Sequence, residues 1–533
     1  MCERLKKQSR RYVTMIYRDV SSTPAAAAIN TSSNRVLLGV IWGICFGIAG
    51  VAFLAAHGVF YFLDFPIAYG EGPIVRDALL LSEGTLFYRH LTSTPPYILS
   101  NYTPAFYAIL SLPLSVTGVS FIPGRIISLL SGVGVLILVY RLVRIHTGTR
   151  EAGFLSALLL FISPFSANLA LNRVDAVAAF FSVSSVYVIV CSPPLIRRAV
   201  LAGALAGAAA LTRQTSFIFP LILAFGFYGQ KKSGQLSLFF LFSLTFIAGG
   251  VAGLLEYASR GAYSFNVITG NLNSWEWDRL LLGVGNLGVE FFAPLIVVSM
   301  IIFYRMDNLH VRPLLGWLFL GAVPSFITLA KSGSNLNYLV EMYVVIALIS
   351  GLVIGGLSRR RANTRIAIIL ACISVLPLGS KALTFDRLVP TVKHSREKAA
   401  SFTRAVRRTP GLVLTDDLMG VELLTGKQIV FQSYEVNQLQ RRGRWNDSKL
   451  RGLIRTGRVS FAAISRPYAA PLLRRERWSK AQWRLLRRCM KRSGRFAGSD
   501  VFIIPSENRA PVAVPKAPRR GYFRELSSQR HAG

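Results

Sequence analysis

The stretch GRIISLLSGVGVLILVYRLV, residues 124–143, decides the fold class. Its apolar body is long enough to cross the ~30 Å hydrocarbon core of a bilayer as a helix rising 1.5 Å per residue. It opens on Gly124-Arg125 and ends among Arg141, Arg144 and Arg150. Val36 to Ala56 and Tyr338 to Leu357 have the same character. Composition agrees: 52% of the 533 residues are hydrophobic and only 16% charged, against about 25% charged in an ordinary soluble domain. Mean hydropathy is +0.44.

Working outward, apolar runs near 36–56, 124–143, 152–170, 176–191, 198–211, 215–229, 236–256, 285–304, 314–330, 338–357 and 365–382 predict a polytopic α-helical membrane protein of about 11 transmembrane helices. The fifth and sixth are short. Lys and Arg near span ends are retained on the cytoplasmic side. Arg4, Lys6, Lys7, Arg10 and Arg11 therefore place the N-terminus in the cytoplasm, and Arg141/Arg144/Arg150, Arg197/Arg198, Lys231/Lys232, Arg305/Arg312 and Arg359/Arg360/Arg361 alternate accordingly. The expected organisation is a basic cytoplasmic tail (1–35), a transmembrane domain (36–383) with a first outer loop at 57–123, a small α/β extracytoplasmic domain (384–505) and a disordered tail rich in Pro, Arg and Ser (506–533). Strands are expected at 411–417, 428–431, 461–464 and 500–504, and helices at 449–456 and 479–493. The host is expected to be the inner membrane of a bacterium.

A net charge of +36 raises the question of nucleic acid. Much of the excess follows Thr384, beside a membrane, where anionic lipid headgroups or an acidic glycan are the better partners. A merely solvated basic surface is the bland alternative. The five cysteines form no disulfide framework or Cys-x-x-Cys site. Three motifs are discounted. Ser9-Arg10-Arg11-Tyr12-Val13 lacks the apolar region of an export signal, Gly283 to Gly288 spells G-x-G-x-x-G with no preceding strand, and Asn101-Tyr102-Thr103 is a glycosylation sequon only by spelling.

Polar motifs gather at the predicted outer rim: Tyr69-Gly70-Glu71-Gly72, Asn101 to Pro104, Arg173-Val174-Asp175, Thr212-Arg213-Gln214 and Asn335 to Tyr338. Ionisable groups are costly beside lipid, so their convergence points to a site at the membrane surface. Pro104 to Thr117 suits an interfacial helix roofing a cavity. Glu71, flanked by glycines, is placed to act as a general base toward a hydroxyl; a solvated loop acid is the plain alternative. Arg173 and Asp175 bracket a helix start, where an ion-paired cap competes with a phosphate clamp and a hydroxyl- or metal-orienting acid. Arg213 and Lys331 are cations on the outer face that topology does not explain, and a phosphate partner would explain them. Asn337 and Glu341 share a helix face, so Glu341 is expected to pair with Arg213 or Lys331. Asp416 and Asp417 fit a turn or cap better than a ligand site.

Across residues 60–345 the chain resembles the GT-C superfamily of membrane glycosyltransferases, in particular the bacterial family 39 and RgtA/B/C/D-like type. The resemblance is carried by the acidic-Gly motif Tyr69 to Gly72, the aromatic segment Asn101 to Tyr107, Gly124-Arg125, Arg173-x-Asp175 and Leu211-Thr212-Arg213. It implies transfer of a sugar from a polyprenyl-phosphate donor to a glycan, lipid or protein acceptor, with inversion; no nucleic-acid partner is expected from the placement of the charge. It also implies that Glu71 is the base and that Arg213, Arg173 and Lys331 stabilise the leaving phosphate; Asn101, Tyr102, Asn337, Tyr338 and Glu341 are expected to complete the substrate site. A divalent cation shared by Asp175 and Glu71 is a further implication. The sequence departs from the family's common Asp-Glu pair, because Gly70 occupies the place of the Asp. A flippase, a transporter or a non-catalytic binder of lipid-linked sugar is the competing class.

Overall fold

The computed structural model describes residues 40, 43–54, 57–286, 312–334, 336–358, 388–465, 477–496 and 499–504. Among them four helices are long and apolar enough to span a bilayer: Ile122–Thr147, Gly234–Ala258, Pro313–Ala330 and Asn337–Gly356. Shorter apolar helices follow the sequence expectation at Gly43–Leu54, Asp175–Cys191 and Ile218–Gln230, and the small-residue helix Ile196–Thr212 packs between its neighbours. The expected spans near 285–304 and 365–382 lie outside the described residues, as do the two terminal tails.

One expected span is broken. Residues 152–170 form a helix, Arg150–Ile162, followed by a 3-10 segment, Pro164–Ala170, at 69° to it. The cause is local: Pro164 has no N–H to continue the ladder, and Ser163 before it is extended at φ −71°, ψ 169°. Lipid exposure shows on Gly234–Ala258, whose Phe242, Phe246 and Leu254 face outward. The opposite extreme is Asn337–Gly356, 83% buried at the centre of the bundle.

Residues 57–123, the segment expected to be the first outer loop, are structured. Glu71–Ser82 is a nearly fully buried helix, and Ala105–Thr117 is a second with Leu112 and Val116 exposed, as an interfacial helix requires.

Beyond residue 388 a four-stranded sheet forms in the order β1-β2-β4-β3, from β1 (Leu412–Thr415), β2 (Val459–Ser465), β3 (Lys491–Phe496) and β4 (Ser499–Ile503). β1 and β2 are parallel and the other pairs antiparallel. Side chains alternate between faces with the period of two that a strand dictates. Val413, Phe461 and Ala463 pack toward Phe402 and Val406 of the basic helix Leu388–Arg408, while Leu414, Ala462, Ile464 and Phe502 pack toward Trp478 and Leu486.

Two expectations fail in this segment. Residues 428–431 are not a strand of the sheet; Phe431 instead makes an isolated parallel bridge with Tyr97 of the outer loop. The helix expected over 479–493 stops at Cys489, and Lys491 to Phe496 turn back as β3, completing an antiparallel edge with β4.

Candidate active site at the outer rim

A cavity of about 980 Å³ opens between the outer loop, the ends of the spans and the sheet-bearing segment. Of the residues expected from sequence, Asn101, Tyr102, Arg173, Asn337 and Tyr338 line it. Glu71, Asp175, Arg213, Lys331 and Glu341 are not among its lining residues.

Arg125 explains where Glu71 goes. Its guanidinium has five N–H donors, and each is used. Nε donates to Glu71 Oε1 at 3.2 Å, one terminal nitrogen donates to the carbonyls of Phe60 and Leu63 at 2.7 Å each, and the other donates to Phe65 O at 2.6 Å and Glu71 Oε2 at 3.0 Å. Glu71 also accepts from the backbone N–H groups of Ile67 at 2.8 Å, Ala68 at 3.3 Å and Asn172 at 2.8 Å. Both side chains are fully buried. Five donors hold the carboxylate, so it is a poor fit to the base role that the resemblance implies; Gly70, in the position of the family's Asp, is the residue that lines the cavity. The sequence signal for Arg125 was present, as a lone cation at the mouth of an apolar span.

A second buried network braces the wall. Asp175 Oδ1 accepts from Asn337 Nδ2 at 2.9 Å and pairs with Arg213 at 3.6 Å, while Oδ2 lies 3.4 Å from Arg173 Nε. Arg213, one of the two partners expected for Glu341, pairs with it at 3.7 Å and donates to the carbonyls of Asn337 and Tyr338 at 3.3 and 3.4 Å. Glu341 also accepts from Ser216 at 2.9 Å. Arg213 is thereby neutralised inside the wall, whereas Arg173 faces the cavity and donates to the Tyr102 hydroxyl at 3.3 Å. Burial, with Arg442 and Arg213 nearby, pulls the Lys331 ammonium down to about 8.

Glu71 and Asp175, the carboxylates expected to share a divalent cation, belong to these two separate networks. Each carboxylate already faces guanidinium groups, and among the described residues no three His, Cys, Asp or Glu side chains are grouped to hold a metal.

The sheet-bearing segment supplies residues that sequence reasoning missed. Glu435, in the first turn of the helix Ser433–Arg441, accepts from the Tyr69 hydroxyl at 2.5 Å and from Asn101 Nδ2 at 2.9 Å. Arg477 lies over the Tyr69 ring, 4.5 Å from its centroid, and pairs with Asp416 and Asp417. Asp416 also accepts from Ser433 and the Trp478 indole, so it is a structural hub, whereas Asp417 lines the cavity. Glu435 and Arg477 lie in no apolar span, so nothing in the local pattern marked them, whereas Asp416 and Asp417 stood out at an expected strand end, where a turn or cap was expected.

Residues 101–251 match the family described as dolichyl-phosphate-mannose-protein mannosyltransferase. No curated protein matches the chain. Among solved structures, ArnT from Cupriavidus metallidurans bound to undecaprenyl phosphate superposes with a TM-score of 0.58 at 13% identity, covering 88% of this chain and 99% of that one. Its apo state gives 0.54 at 16% identity over 87% and 99%. The apo oligosaccharyltransferase of Archaeoglobus fulgidus gives 0.50 at 13% identity over 79% and 69%. The chain thus shares its fold with ArnT, and residues 101–251 are similar to a mannosyltransferase family, as expected of a chain that resembles the GT-C superfamily of membrane glycosyltransferases.

Proposed function

We propose that the protein transfers a sugar from a polyprenyl-phosphate donor to a hydroxyl of a glycan, lipid or protein at the outer face of a bacterial inner membrane, with inversion at the anomeric carbon. The observation that carries the reading is a cavity at the rim of the bundle with Arg173 on its wall. Arg173 suits a departing phosphate, because its planar donor fork matches phosphate oxygens and its charge offsets the one that develops on them. Arg213, Asp175 and Glu341 serve this site from behind, fixing Arg173 and Asn337, with Lys331 adding positive potential. Asn101 Oδ1 and Asn337 Oδ1 are buried acceptors without a protein donor among the described residues, and both residues line the cavity. ArnT of the same fold carries undecaprenyl phosphate in its crystal structure, which supports the donor class.

The test is transfer by the full-length protein in proteoliposomes, supplied with a panel of undecaprenyl-phosphate sugars and cell-envelope acceptors, with the product anomer read by NMR. Inverted product is expected. A wild type that binds undecaprenyl phosphate yet transfers nothing across the panel would establish the second reading, a non-catalytic binder of lipid-linked sugar. The specific observation behind that alternative is Gly70, which leaves the family's acidic position without a carboxylate.

A further inference from the structure

Glycosyl transfer to a hydroxyl needs a group to take the proton, and Glu71 is occupied by five donors while position 70 is glycine. Among the described residues the carboxylates on the cavity wall are Asp417 and Glu435. Asp417 is paired with the Arg477 guanidinium. Glu435 takes hydrogen bonds from neutral groups, the Tyr69 hydroxyl and the Asn101 amide.

We infer that Glu435, delivered from the sheet-bearing segment into the rim cavity, is the general base of the transfer reaction. The inference rests on the glycosyltransferase reading above. Two adjacent residues fix its placement: Asn101 holds Glu435, and Tyr102 holds Arg173 at 3.3 Å. Base and phosphate-facing cation are thus anchored side by side on one short stretch of the outer loop, the arrangement a displacement needs when its nucleophile and leaving group are both bound.

The step balances without a further reactant. The acceptor oxygen forms a bond to the anomeric carbon while the bond from that carbon to the phosphate oxygen breaks, its electron pair leaving on the phosphate. The hydroxyl proton passes to the Glu435 carboxylate, which later releases it to water. Burial raises the Glu435 carboxyl above the ordinary range, against the lowering effect of the Tyr69 and Asn101 hydrogen bonds and of nearby Arg477, which moves it toward the pH at which a base must work. Tyr69 is a positioning residue that sets the orientation and the acidity of this group.

The test uses the full-length protein in proteoliposomes, with the donor that wild type turns over best and with undecaprenyl phosphate as the binding probe. Glu435→Gln is expected to lower turnover by about a hundredfold or more while undecaprenyl phosphate binds with wild-type affinity. Glu435→Asp, which keeps a carboxylate, is expected to retain more turnover than Glu435→Gln. The acid limb of the pH–rate profile should vanish in Glu435→Gln and move to higher pH in Tyr69→Phe, since losing that donor raises the carboxyl. Monodisperse elution of each variant checks folding. Wild-type turnover in a folded Glu435→Gln, or an acid limb unmoved in Tyr69→Phe, overturns the base assignment and leaves the glycosyltransferase reading standing. An inactive wild type overturns both.

Discussion

The Glu71 carboxylate is held by five donors, two of them from Arg125. An acid flanked by glycines in an outer loop satisfies the sequence criteria for a catalytic base, and those criteria say nothing of an arginine 54 positions away that fills both its oxygens. The pair is fully buried, so removing one partner strands the other charge, which typically costs about 3–5 kcal/mol. Arg125→Ala and Glu71→Gln are therefore expected to lower the thermal midpoint of the detergent-solubilised protein sharply and together, with lost activity following lost fold. Unchanged melting of a Glu71→Gln protein that has lost only turnover would return the base role to Glu71. By contrast, that Glu341 pairs with a cation was legible from the sequence, because a charge one turn inside a span must find a partner, whereas the choice of Arg213 over Lys331 was made by the fold.

The elements legible in the sequence were those whose periodicity is local. The long spans and β1, β2 and β4 fall where apolar runs place them, since lipid or a buried sheet demands such runs regardless of what packs beside them. The failures were decided at a distance. Residues 428–431 look like a strand and bridge Tyr97 instead, and β3 is a polar edge strand whose reason for existing is β4. Close backbone approach is equally invisible locally: a Cβ on Gly72 would lie 2.3 Å from the Met419 carbonyl oxygen, and the Cβ of any residue at 420 would lie 2.8 Å from Gly72 Cα. Backbone cannot yield as a side chain does, so Gly72→Ala is expected to wedge the outer-loop helix away from the 419–420 turn. The expected cost is about 1–3 kcal/mol of stability together with a fall in turnover. Gly253→Ala, where nothing lies within 4 Å, is the control and should leave both near wild type. Equal behaviour of the two variants would deny that this contact shapes the cavity.

At the scale of the whole molecule, the alternation of basic segments and the gathering of Asn101, Arg173, Asn271 and Glu435 around one cavity make the same demand, that these residues share a side of the membrane. Single cysteines at Asn101, Asn271 and Gly426 in an otherwise cysteine-free protein should react with an impermeant maleimide added outside intact cells, and one at Arg360 only after the cells are opened. Protection of Gly426 from the outside reagent would invert the arrangement. The Tyr97–Phe431 bridge carries a consequence of another kind. Tyr97 N–H donates to Val430 O at 2.8 Å, Gln432 N–H donates to Tyr97 O at 2.9 Å, and the Tyr97 ring packs against Trp445 in the core of the sheet-bearing segment. The segment thus completes its own interior with a side chain encoded some three hundred positions earlier. A chimera that takes its sheet-bearing segment from a distant relative is therefore expected to fold only when the short stretch around residues 95–101 comes from the same parent.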